Sequence, residues 1–231
     1  MTPAERRARV RRAAALYGPA GRFARHFARG KLGGDPLFPA LLDVMPEAQR
    51  LVDLGCGQGL LAAWLRTVRG DSAFGDYLGI DRSRAELARG RAALPGRTTF
   101  VQADLATLDA TAIGACDVVA LLDVLHYLAP AAQQRLLAQV AIALRPGGVL
   151  VMRVGDATRV ARSRWSNAVD AVVARLRGHP GALHRRALDD WLALLAALGF
   201  DTRVVREDDR GLANVLLRAV RRDEGHAQAV Q

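Results

Sequence analysis

Cysteine, lysine, aromatic residues and long apolar runs are all scarce in this chain of 231 residues. Its two cysteines, Cys56 and Cys116, are too few to staple a secreted scaffold. They do not stand at zinc-finger spacing either, so a reducing, cytoplasmic setting is expected. No cluster at metal-ligand spacing is visible, and no metal is expected. No apolar run approaches the roughly 20 residues of a membrane span. The opening MTPAERRARVRRAAALYG is basic without a continuous apolar core and does not read as a secretory signal. Lys31 is the single lysine, and the other 32 of the 33 basic residues are Arg.

Against these absences stand 51% hydrophobic and 24% charged residues, enough for a packed core. The net charge of +10 is uneven. Residues 1–31 hold eight Arg and Lys31 against Glu5, and residues 153–186 hold eight Arg against Asp156 and Asp170. The remainder is net acidic. Two readings stand for the basic segments. They are solvated faces, or they form a mouth that attracts an anion: nucleic acid, an acidic carrier protein or an anionic metabolite.

Periodicity predicts an amphipathic helix over 4–17, with Val10, Ala13, Ala14 and Tyr17 on one face. The stretch Gly30-Lys31-Leu32-Gly33-Gly34-Asp35-Pro36 then reads as a break, followed by a short helix over 37–45. From residue 50 strands and helices alternate. Strands are expected over 50–54, 77–81, 98–102, 117–122 and 148–154, with helices over 60–68, 83–94, 130–144, 157–177 and 188–198. Ser83 with Glu86 reads as a capping box, Pro130 as a first-turn proline, and Gly199 as a helix stop. Two final strands, 202–206 and 214–220, leave room only for the turn Glu207–Gly211, so they form a hairpin. Alternation of this kind gives an α/β, mostly parallel sheet; the hairpin adds one antiparallel strand, unlike a dehydrogenase sheet.

The most informative segment is Leu51-Val-Asp-Leu-Gly-Cys-Gly-Gln-Gly59. An apolar strand ends in Gly55-x-Gly57-x-Gly59 and opens a helix, so backbone amides can approach a ligand closely. The dinucleotide fingerprint would want its third glycine at position 60, where Leu60 stands. Acids mark the strand ends: Asp53 in the first strand, Asp81 closing the second, Asp104 after the third and Asp123 after the fourth. Ligands of open parallel sheets bind along that edge. Asp81 is placed to accept both hydroxyls of a ribose; the alternative for Asp81 and Asp104 is ordinary strand-end capping.

These segments, with Leu78-Gly-Ile-Asp81, Gln102-Ala-Asp-Leu105, Cys116-Asp-Val-Val-Ala-Leu-Leu-Asp-Val-Leu-His-Tyr127 and Leu144-Arg-Pro-Gly-Gly-Val-Leu150, resemble the successive motifs of class I S-adenosylmethionine-dependent methyltransferases. The order holds over residues 50–220, hairpin included. The resemblance implies a Rossmann-like seven-stranded sheet with helices on both faces, and S-adenosylmethionine as cofactor with S-adenosylhomocysteine as product. It implies that Gly55, Cys56, Gly57 and Gly59 wrap the methionine part and that Asp53 organises this loop. Asp81 would hold the ribose, Arg82 would flank the adenine, and Asp104 with the Leu105 amide would meet the adenine edge. The backbone at Leu122–Asp123 would lie below the sulfonium. Cys56 reads as chosen for size, and Cys116 as a small buried hydrophobe before the fourth strand.

Methyl transfer needs no side-chain nucleophile, and a base matters only for a neutral hydroxyl or amine acceptor. His126, after the fourth strand, reads either as that base or as a packed, loop-capping histidine; Asp123 reads as its support or as a cofactor contact. His26, His179 and His184 are weaker candidates. Tyr17, Phe23, Phe27, Phe38 and Trp165 are apolar walls or core. Lys31, Gly33 and Gly34 bind a carboxylate or make a plain turn. The Asn/Asp-Pro-Pro-Tyr motif of base-amino methylation is absent after the fourth strand, and there is no Pro-Cys nucleophile. The expected organisation is a basic helical cap over 1–45, a methyltransferase domain over 46–222 with an Arg-rich insertion at 156–186, and a flexible tail over 223–231. The acceptor is expected to be small and anionic or aromatic, or tethered to an acyl-carrier protein, and methylated on oxygen. RNA is the alternative acceptor, and a non-catalytic S-adenosylmethionine-binding module the alternative class.

Overall fold

The computed structural model describes residues 1–157, 183–205 and 214–223. The expected helix over 157–177, the turn Glu207–Gly211, His179, Trp165 and nearly all of the tail lie outside the described residues. Seven strands, β1 (Ala48–Leu54), β2 (Phe74–Asp81), β3 (Thr98–Gln102), β4 (Cys116–Leu122), β5 (Leu144–Gly155), β6 (Phe200–Val205) and β7 (Asn214–Arg221), form one sheet in the order β3-β2-β1-β4-β5-β7-β6. β2 and β4 run parallel to β1, β3 runs parallel to β2, and β7 is antiparallel to both β5 and β6. The mostly parallel α/β sheet and its reversed strand are as expected. The chain divides into two units, residues 1–105 with 116–120 and residues 106–115 with 121–231.

The first unit begins with helices α1 (Pro3–Ala15), α2 (Arg22–Gly34) and α3 (Leu37–Val44). The capping box is here and not at Ser83: Thr2 Oγ1 accepts from the Glu5 amide, and Glu5 Oε2 accepts from the Thr2 amide. The glycine-rich stretch does not break the chain, because α2 runs through Gly30, Gly33 and Gly34. Two contacts explain this. Gly33 lies against α1, where an added Cβ would stand 3.6 Å from Val10 Cγ1. The Arg6 guanidinium reaches across to the Gly33 and Asp35 carbonyls at 3.1 and 3.2 Å, satisfying the helix end. Lys31 donates to Asp35 four residues on, inside that end.

Helices α4 (Leu60–Arg69) and α5 (Arg84–Ala93) connect the first strands. Ser83 caps α5 by accepting from the Glu86 amide, but the Glu86 carboxylate pairs with Arg89 and leaves the box half made. Phe38 meets Trp64 edge-on at 6.1 Å, and Tyr77 lies 5.6 Å from Phe74 and 5.7 Å from Phe100. Phe100 fills a niche that three glycines leave open. A Cβ at Gly59, Gly79 or Gly90 would come within 3.0 Å of its ring.

The second unit holds the short helix α6 (Ala110–Ile113), then α7 (Pro130–Ala143) and α8 (Leu188–Ala197). Pro130 starts α7 and Gly199 stops α8 at φ +82°. Trp191 and Leu195 bury the inner stripe of α8, and Arg222 closes its last turn on the Ala196 carbonyl at 2.9 Å. Cys116 opens β4 instead of preceding it and is fully buried, as a small hydrophobe would be.

Candidate active site

In the first unit, β1 lies between β2 and β4, so the strand order reverses beside its carboxyl end. Gly55, Gly57 and Gly59 follow it with φ of +81°, +54° and +78°. Only glycine adopts that run of left-handed backbone without strain. The Gly55 and Cys56 amides donate to the Ile80 carbonyl at 2.7 and 3.2 Å, stapling the loop to the end of β2. Gly59 then caps α4, whose N-terminus has no side-chain cap. A Cβ on Gly57 would meet nothing within 4 Å, so the loop faces open space there.

Asp81 closes β2 and does two jobs at once. One carboxylate oxygen accepts from the Gly57 amide and the other from the Ser83 amide, both at 2.8 Å. Each oxygen retains a lone pair for a further donor. The capping reading of Asp81 is therefore realised without using up the carboxylate. Arg82 is exposed, and its carbonyl accepts from the Gln102 amide group at 3.1 Å. Asp104 is exposed just beyond β3, and Leu105 beside it is buried. The Ala103 amide joins this end of β3 to the Asp81 carbonyl at 3.2 Å.

Asp53 is buried and accepts from the Tyr77 hydroxyl at 2.7 Å. Burial pushes its carboxyl up to about 7; the Tyr77 hydrogen bond opposes this, and the Asp81 charge adds to it. Burial likewise drives the Cys56 thiol and the Tyr77 and Tyr17 hydroxyls upward, so all three stay protonated and inert near neutrality. The N-terminal helices reach the loop directly. Tyr17 donates to the Gln58 carbonyl at 3.0 Å, and Gln58 Nε2 donates to the Ala24 carbonyl at 3.3 Å. Gln58 Oε1 is buried with no protein partner. On α2, Phe23 and Phe27 are exposed and stacked at 6.4 Å, with Arg89 of α5 at 5.1 Å from the Phe23 ring centre. His26 is exposed on the same helix.

The second unit holds Leu122, Asp123 and His126. Asp123 has φ +60°, the one non-glycine in the left-handed region among the described residues. A bulky residue would be strained there, whereas a short acid is tolerated. Both of its oxygens accept from Arg153 of β5, a guanidinium itself buried; the Nε contact is 2.6 Å and Nη2 closes the fork. His126 sits half-buried in a single 3-10 turn, Leu125–Tyr127, its ring 4.1 Å from that of Tyr127. The His126 carbonyl accepts from the His184 amide at 2.9 Å. Sequence reasoning missed Tyr77, Arg153 and Gln58. A buried acid in β1 was the signal that a donor must meet it. Nothing local marked Arg153, whose partner comes from another strand. No group of three or more His, Cys, Asp or Glu that would hold a metal occurs among the described residues.

A sheet of this order, a glycine loop after β1 and an acid ending β2 together define the Rossmann-like methyltransferase class. A sequence family described as a methyltransferase domain matches residues 52–152. That match spans a little under half of the chain and marks these residues as a methyltransferase domain. Trans-aconitate 2-methyltransferase of Variovorax paradoxus is 34% identical over 131 residues, 55% of this chain and 46% of that protein. The match thus spans about half the length of that relative. A Mesorhizobium loti S-adenosylmethionine-dependent methyltransferase is similar in structure, with a TM-score of 0.64, 26% identity, and coverage of 81% of this chain and 99% of that one. An O-methyltransferase family protein of Burkholderia thailandensis shares the fold, with a TM-score of 0.64, 23% identity, and coverage of 89% of this chain and 62% of that one.

Proposed function

We propose that the chain transfers a methyl group from S-adenosylmethionine to oxygen on a small anionic or aromatic acceptor, free or tethered to an acyl-carrier protein. The observation that carries the cofactor half is the Asp81 carboxylate, held by the amides of Gly57 and Ser83 beside a loop that faces open space. The residues fit an adenosyl group. Asp81 accepts the ribose hydroxyls with its remaining lone pairs, exposed Asp104 accepts the adenine amino group with the Leu105 amide beside it, and Arg82 flanks the ring. Gly55, Cys56, Gly57 and Gly59 leave room for the methionine part, with Asp53 behind them. When bound, the cofactor supplies an electrophilic methyl on a sulfonium.

The chain's own contribution is alignment and exclusion of water, which suit a displacement that disperses charge. His126 takes the proton of a neutral hydroxyl acceptor. Asp123, forked to Arg153, holds the backbone of its turn and does not serve as the base. An anionic acceptor agrees with the two basic segments and with the relative named for trans-aconitate. Under this reading residues 1–45 cap the domain, and the arginines of the 156–186 segment add charge that favours an anionic acceptor. No helix among the described residues is long and apolar enough to cross a membrane.

Calorimetry with S-adenosylhomocysteine against NAD tests the cofactor, and the product is expected to bind where NAD does not. A screen of carboxylates, phenols and carrier-bound acyl groups with labelled cofactor tests the acceptor. Label appearing in nuclease-sensitive material would replace the acceptor by RNA. Binding without transfer to any class would leave a non-catalytic module.

A further inference from the structure

We propose that Gln133 and Arg186 form a clamp that sets the turn carrying His126, which makes both of them positioning residues for the acceptor; the role, though not the clamp itself, rests on the methyltransferase reading above. Gln133 lies on α7 and is completely buried. Its Nε2 donates to the carbonyls of Leu125, Leu128 and His184 at 3.0, 3.1 and 3.0 Å. An amide nitrogen carries two hydrogens, so three carbonyls share them. Two of those carbonyls bracket the His126 turn, and the third belongs to the segment that ends the Arg-rich stretch. The same segment holds the turn from a second point, through the His184 amide on the His126 carbonyl.

Gln133 Oε1 in turn accepts from Arg186 Nε at 2.7 Å. A guanidinium only donates, so it fixes the amide with oxygen toward Arg186 and nitrogen toward the three carbonyls. Arg186 is itself placed by its Nη2 on the Pro130 carbonyl at 2.8 Å and by the Trp191 ring, whose centre is 5.4 Å from Cζ. Its carbonyl accepts from the Ala157 amide at 3.1 Å, which joins the two ends of the Arg-rich segment. Order in 184–186 is therefore passed to residues 125–128 through one side-chain amide.

The test uses Arg186→Met and Arg186→Lys, because Gln133→Leu takes a donor from three carbonyls at once, in a fully buried position, and is at risk of misfolding. The turn is closed by the Tyr127 and Leu128 amides on the Val124 and Leu125 carbonyls. Exchange of those two amides with solvent, read by NMR, is expected to speed by about tenfold or more in Arg186→Met and to stay near wild type in Arg186→Lys. Unchanged exchange at Tyr127 and Leu128 in Arg186→Met overturns the clamp. S-Adenosylhomocysteine affinity, measured on the same samples, is expected to be unchanged by either variant. If the wild type itself binds none while exchange responds as stated, the methyltransferase reading falls and the clamp stands. With a neutral hydroxyl acceptor from the screen, Arg186→Met is expected to lower kcat while the cofactor KM holds; an unaltered kcat with that acceptor overturns the positioning role.

Discussion

Asp53 is a carboxylate placed where water does not reach it, and Tyr77 is its compensation. Its folded pKa of about 7 exceeds the ordinary 3.8. Between those values the folded chain holds a proton that the unfolded chain has lost. The stability linked to this group is therefore complete below the ordinary pKa and declines as pH rises toward and past 7. Asp53→Asn keeps an acceptor for the Tyr77 hydroxyl and removes the titration. Without ligand, the variant is expected to gain more in Tm over wild type at about pH 8 than at about pH 5. An equal gain at both would show that Asp53 does not titrate in this range. At Asp81 the expectation is a loss of about 1.5–3 kcal/mol in S-adenosylhomocysteine affinity for Asp81→Ala, the range for hydrogen bonds to a charged group. Affinity unchanged by calorimetry would remove the ribose assignment. Both acids were legible in the sequence, because a parallel sheet delivers strand ends to one edge. Tyr77 and Arg153 were not, because what made them matter was a partner on a neighbouring element.

At the scale of elements, glycine has two opposite meanings in this chain. Gly90 lies inside α5, where Ala would ordinarily help the helix. Here a Cβ would stand 2.7 Å from the Phe100 ring, whose niche it would invade. Gly90→Ala is expected to lower stability by about 1–3 kcal/mol despite its propensity, and adding Phe100→Leu to recover part of it. Gly30 is also helical, but a Cβ there meets nothing within 4 Å. Gly30→Ala is expected to raise stability by about 0.5–1 kcal/mol, read from denaturant midpoints. If both substitutions moved stability the same way, the niche around Phe100 would not govern α5. The contrast also explains what the sequence hid. Gly55, Gly57 and Gly59 stood between a strand and a helix, a context that by itself demands left-handed backbone. Gly79 and Gly90 serve a ring contributed by β3, which no local pattern reveals. The stretch 30–34 looked like a break because glycine density outweighs the signal of Ala24, Ala28 and Leu32, the buried stripe that packs α2.

For the whole molecule the governing quantity is a charge of +10 spread over arginines that cluster in two segments of the chain. Such a field draws anions in from a distance and weakens as salt shortens its reach, from a Debye length of about 10 Å at 0.1 M to about 3 Å at 1 M. Fold placement was legible from strand and helix order. The acceptor was not, because chemistry without a nucleophile leaves no fixed signature among the side chains. Ionic strength separates the two halves of the proposed site. The adenosyl contacts proposed above would be short hydrogen bonds to Asp81, Asp104 and backbone, so S-adenosylhomocysteine affinity is expected to change little between about 0.05 and 0.5 M salt. The acceptor KM is expected to rise several-fold over the same range, with kcat nearly constant, because the long-range field acts on encounter and not on the aligned displacement. An acceptor KM indifferent to salt would mean that the basic segments are solvated faces, and the case for an anionic acceptor would then rest on no feature of this chain.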